Sequence, residues 1–203
     1  TAGTTFNENK VVATDFADVT SDNTQSIDQS NSCLAGLPCS NEAFNQNLIS
    51  GSDFAAVDST DDQSNTQDNS CILADCENSA ANTNGISASG FALVTSDTTQ
   101  TNDQANTCAV TTSCDNVGVN VNTISAADDA SVDLTTSQTN TQHNTCDTSV
   151  PCLNEGANQV TVAADDTDSV AATFTQTNTE SNTCSGAGGG CTNSMANVAS
   201  IGP

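Results

Sequence analysis

The stretch Gln138-Thr139-Asn140-Thr141-Gln142-His143-Asn144-Thr145-Cys146 places a carboxamide at every second position and Thr or His between. Side chains of an extended strand alternate between two faces with a period of two, whereas one face of a helix repeats near 3.6. Gln138, Asn140, Gln142, Asn144 and Cys146 therefore share one face of a strand.

The same phrase occurs five times, ending at Cys33, Cys71, Cys108, Cys146 and Cys184, so the period is 37 or 38 residues. A second cysteine follows each after a short loop: Cys39, Cys76, Cys114, Cys152 and Cys191. Two before each first cysteine stand Asn31, Asn69, Asn106, Asn144 and Asn182; four before stand Gln29, Gln67, Gln104, Gln142 and Glu180; eight before stand Gln25, Gln63, Gln100, Gln138 and Gln176. Two after each second cysteine stand Asn41, Asn78, Asn116, Asn154 and Asn193, and four further on Asn45, Asn82, Asn120, Asn158 and Asn197. Two apolar rows accompany them. One is Val11, Ile49, Ile86, Ile124, Val162 and Ile201; the other is Val19, Val57, Val94, Val132 and Val170.

Every offset is even, and the amides stay constant while the Ser, Thr, Asp and Ala between them drift. That places the amides inside and the hydroxyls outside. An amide removed from water must satisfy both its C=O and its NH2, and a stack of identical amides does so, as in the Asn/Gln ladders of cross-β assemblies. Asn-x-Ser/Thr sequons are absent apart from the five Asn-Ser/Thr-Cys triplets, because the position two after an inward Asn is itself inward.

A repeat of this regularity predicts an all-β fold: a β-solenoid of stacked β-arch rungs with about five 38-residue repeats and one intra-repeat disulfide each. Residues 1–24 read as an N-terminal partial rung and 25–203 as four to five stacked repeats of one domain. The rung reads equally as a two-sheet arch or a three-sided coil. At about 4.8 Å per rung the whole advances about 24 Å.

One Lys, no Arg and 25 acidic residues give a formal charge of -24. Nucleic acid and anionic membrane surfaces are poor partners on that balance, since phosphate binding needs a basic face, and with no membrane span in view membrane insertion is not expected. With only 34% apolar residues a conventional core is hard to assemble, whereas a thin solenoid core bonded from rung to rung needs little. Ten cysteines in five close pairs imply disulfides and an oxidising compartment, and each short loop closed contributes about 2 kcal/mol on the chain-entropy model. Zinc is the competing reading of the pairs, but the spacings vary and His143 is the single histidine. The opening Thr1-Ala2-Gly3 has the form of a mature end left after a secretion signal is removed.

Neither terminal phase carries a capping pattern, so each end is expected to template another copy head to tail, a heterologous contact that runs on as a filament. The Gln-x-x-x-Gln and Asn positions, with segments such as Ser131-Val132-Asp133-Leu134 leading into Gln138, Asn140 and Gln142, resemble curlin repeats, the units of curli-type functional amyloid. The resemblance runs from about residue 11 to 201 and is one of style, for this repeat is longer, carries a cysteine pair and has little Gly for its turns. It implies a secreted, matrix-forming fibre whose partner is the protein itself, with neighbouring fibres or glycans as further contacts.

Two rivals belong to other classes. An ice-binding solenoid needs regular outward Thr rows, yet the equivalents of Thr141 are Asp28, Thr66, Asp103 and Thr179. A calcium-dependent adhesin or surface-layer component is suggested by Asp128, Asp129, Asp165 and Asp166, with Asp168 and the pair Asp61-Asp62, in or beside expected turns; calcium is the one cofactor these acids suit. No catalytic constellation is present, and an enzyme is not expected.

Overall fold

A computed structural model describes residues 2–110, 113–147, 151–164, 169–185 and 190–202. Eleven strands follow one another: β1 (Ala2–Ala13), β2 (Asp18–Leu34), β3 (Cys39–Gly51), β4 (Ala56–Ile72), β5 (Cys76–Ser89), β6 (Leu93–Ala109), β7 (Cys114–Ala127), β8 (Ser131–Asp147), β9 (Cys152–Ala164), β10 (Ser169–Cys184) and β11 (Cys191–Gly202). The odd-numbered strands form a six-stranded sheet, order β1-β3-β5-β7-β9-β11, and the even-numbered ones a five-stranded sheet, order β2-β4-β6-β8-β10. All neighbours are parallel. Each rung is thus a two-sheet arch, and about five turns stack into a β-solenoid.

Register is fixed by chemistry. Gln25, Gln63, Gln100, Gln138 and Gln176 sit in line across the five-stranded sheet, and Asn41, Asn78, Asn116, Asn154 and Asn193 across the other. A one-residue slip would turn a whole row of amides outward, so a strand has one acceptable pairing. Differences in repeat length are taken up at the cysteine edge, where the bonded pairs are separated by five, six or seven residues.

Across each rung the interior has three belts. The disulfides Cys33–Cys39, Cys71–Cys76, Cys108–Cys114, Cys146–Cys152 and Cys184–Cys191 form a column along one edge. Amides fill the middle. At the other edge Ile49, Ile86, Ile124 and Val162 pack on Val57, Val94 and Val132, with Ala55, Ala92 and Ala130 at the arcs. There the chain reverses through left-handed residues at equivalent positions: Asp15, Asp53, Gly90 and Asp128. Asp tolerates that conformation better than most side chains, which explains its recurrence in the arcs.

Several positions depart from the sequence reading. Ile201, on an apolar row assigned to the core, is 68% exposed. Val11, Val19 and Val170 are partly buried, and Asn193 is exposed. The reason is common to all: β1, β2, β10 and β11 are the outermost strands and have a stacked neighbour on one side only. The boundary at residue 24 falls inside β2, which runs unbroken through Gln25, so β1 alone is the half-rung. Asp61 and Asp62 lie within β4 rather than in a turn, with Asp61 fully buried.

Candidate assembly surface: the amide ladders and their open ends

The amides of the interior are held by two kinds of ladder. In the first kind, Gln63 Nε2 donates to Gln25 Oε1 at 3.0 Å, Gln100 to Gln63 at 2.9 Å, Gln138 to Gln100 at 2.8 Å and Gln176 to Gln138 at 2.9 Å. The remaining N–H of each crosses to a backbone carbonyl of the opposite sheet, as from Gln63 to Thr83 O and from Gln100 to Val121 O. A parallel ladder runs Gln142 to Gln104 to Gln67 to Gln29. Side chains this long need a small residue opposite. Ala43, Ala80, Gly118 and Gly156 form that row, and a Cβ on Gly118 would lie 3.1 Å from Asn140 Oδ1 and Gln142 Nε2.

The second kind zigzags between the sheets. Asn41 donates to Asn69, Asn69 to Asn78, Asn78 to Asn106, Asn106 to Asn116, and the chain continues through Asn144, Asn154 and Asn182 to Asn193. Asn31 opens it by donating to Asn41. A second zigzag passes from Asn45 through Asn65, Asn82, Asn102, Asn120, Asn140, Asn158 and Asn178 to Asn197. Because each amide of one sheet contacts two of the other, the sheets are staggered by half a rung.

The two kinds run in opposite senses. Each Gln donates toward the N-terminal rung and each Asn toward the C-terminal rung. Amide dipoles along the axis therefore oppose one another instead of adding. The ladders also leave the two ends of the solenoid unlike: Asn donors and the Gln176 acceptor lead at the β10/β11 end, and Asn acceptors with the Gln25 donor lead at the β1/β2 end.

Comparison of the chain with protein-family models, with curated proteins and with solved structures finds no match. What the interior can do is thus argued from its own chemistry.

A further inward pair was not singled out from the sequence. Asn47 donates to the Asp61 carboxylate, Asn84 to Thr98 Oγ1 at 2.9 Å and Asn122 to Thr136 Oγ1 at 2.6 Å. At the next rung the pair changes chemistry on both sides at once, to Val160 in the core and Phe174 packed against it. Burial pushes Asp61 up to about 6, against the lowering effect of the Ser59 and Asn23 side chains, with Asp62 adding to the rise. A stack of Phe16, Phe54 and Phe91, rings 5.0 and 5.2 Å apart and nearly parallel, runs along the exposed arc edge. Its spacing in the sequence follows the repeat, which is the signal that would have found it.

The sulfurs of Cys114, Cys146 and Cys152 lie within 4.8 Å of one another. Cys146 and Cys152 are bonded together and Cys114 is bonded to Cys108, so none is a free thiolate for zinc. Five disulfides suit an oxidising environment. Asp128 and Asp129 lie together in an arc, both with left-handed backbone; Asp165, Asp166 and Asp168, and the Gly-rich loop at 186–189, fall outside the described residues.

Proposed function

We propose that this chain is the structural subunit of a secreted extracellular filament that grows head to tail by rung-on-rung β-stacking into a surface fibre or matrix. The observation that carries the reading is the opposed polarity of the Gln and Asn ladders. Stacked with its β1 on β11, an incoming copy offers the Asn7 oxygen to the Asn197 donor, continuing the row that runs from Asn7 to Asn45 and from Asn158 to Asn197 within the six-stranded sheet. Reversing the copy sets like groups against like. The contact is heterologous, and repetition without closure gives a fibre.

Exposed edge strands on both sheets supply backbone donors and acceptors for the same contact, a feature that soluble β proteins usually blunt. Fibres built in this way are akin to those of curlin repeats, with the disulfide column as an addition that lets the subunit fold before it joins.

The test is growth of the purified, oxidised protein followed by light scattering and electron microscopy, alongside Asn197→Lys, which sets an unpaired charge at one ladder end. The wild type is expected to form filaments that seed further growth, and the variant to remain as single subunits. A wild type that stays monodisperse at high concentration would defeat the reading.

A further inference from the structure

Glu180 holds, in β10, the register position that Gln29, Gln67, Gln104 and Gln142 hold in the strands below. In those rungs Nε2 donates down the ladder at 2.8 to 2.9 Å. At the last step the donor is gone. Gln142 Oε1 is buried without a hydrogen-bond partner, and so are both carboxylate oxygens of Glu180. Gly156 gives the carboxyl its seat, since a Cβ there would stand 2.8 Å from Glu180 Oε1. Facing acceptors repel, and a buried acceptor left unpaired is costly. A carboxylic acid has nearly the shape of a carboxamide, with O–H in place of N–H.

We propose that Glu180 is a proton-operated rung: as the acid, taking its proton from solvent, it donates to Gln142 Oε1 and completes the ladder, and as the carboxylate it breaks it. The carboxyl's surroundings agree. Burial pushes Glu180 up to about 7, against the lowering effect of the backbone amides of Gly156 and Ser194. Glu155 of β9 adds to the rise. From β8 the nearest titratable group is His143, whose ring bonds Thr145 on the outer face; β11 carries no charged residue, and β10 no other.

Glu180→Gln makes the ladder uniform and tests the proposal. Thermal unfolding of dispersed subunits between pH 4 and 9 should show the wild type matching the variant below about pH 4.5, falling behind it as pH rises toward 7, and staying a few degrees lower above that. Parallel melting profiles would overturn the proposal even if filaments form. Divergent profiles without filaments at any pH would support the proton-operated rung and remove the filament reading. Should the variant not fold, carbon-13 titration of the Glu180 carboxyl in the wild type decides: a midpoint near 7 supports the rung, and one in the ordinary glutamate range overturns it.

Discussion

Asn78 of β5 donates its amide to Asn106 Oδ1 of β6 at 2.9 Å, so the two sheets are joined through their middle by a side-chain bond. In most stacked-sheet proteins that space is filled by apolar side chains whose contact has no direction. Here the cohesion is directional. Each amide must find its partner on the rung above or below, which explains how a chain with few large apolar residues still specifies one register.

Asn102 is heavily engaged, donating to Val119 O, Asn120 Oδ1 and Asn140 Oδ1 and accepting from Asn65 and Asn82. Replacing it with Leu strands several buried polar groups. Denaturant unfolding should report a loss of about 3–5 kcal/mol. The same replacement at Asn197, on the exposed β11, should stay within about 1 kcal/mol.

Gly118 faces three amide atoms, with Gln104 Oε1 also 3.2 Å from where a Cβ would stand. Gly118→Val should force the Gln ladder aside and destabilise by roughly 2 kcal/mol or more, by the cost of overpacking, measured by thermal or denaturant unfolding.

Asp61 is buried with a carboxyl pushed up to about 6 from 3.8, so the folded state favours its acid form. The stabilising proton is fully present below about pH 4 and is lost as pH rises through 6. Asp61→Asn should remove that dependence. The wild type is then expected to match the variant in acid and to fall below it by about 2–3 kcal/mol at pH 8, as read from unfolding curves at the two pH values.

The disulfides close loops at one edge and do not carry the ladders. Reduction should lower the melting temperature strongly, at about 2 kcal/mol per bridge. Far-ultraviolet circular dichroism at moderate temperature should still report parallel β structure. Loss of all strand signal on reduction would show that the amide belt cannot hold the rungs by itself.

The sequence makes the rungs readable because parity is a local property: each strand announces its inner face in eight or nine residues, and five copies reveal which face is constant. Cysteine pairing within a repeat is readable for the same reason, from proximity along the chain. The choice between a two-sheet arch and a three-sided coil was not readable, since it depends on how the left-handed corners at Asp15, Asp53 and Gly90 fold the strands back, and the repeat carries no count of sides. The opposed senses of the Gln and Asn ladders were hidden too. Exposure of Ile201 and Asn193 could not be read from rows that look uniform, because burial comes from the neighbouring rung and not from the residue type.

The most direct measurement is a cryo-electron microscopy reconstruction of filaments grown from the purified, oxidised protein. The account predicts parallel strands spaced about 4.8 Å along the axis, the Asn7 to Asn197 row of the six-stranded sheet continuing from β11 of one subunit to β1 of the next, and every subunit pointing the same way. Subunits that meet side by side or end to end in alternating directions, with the β10/β11 face left in solvent, would contradict it.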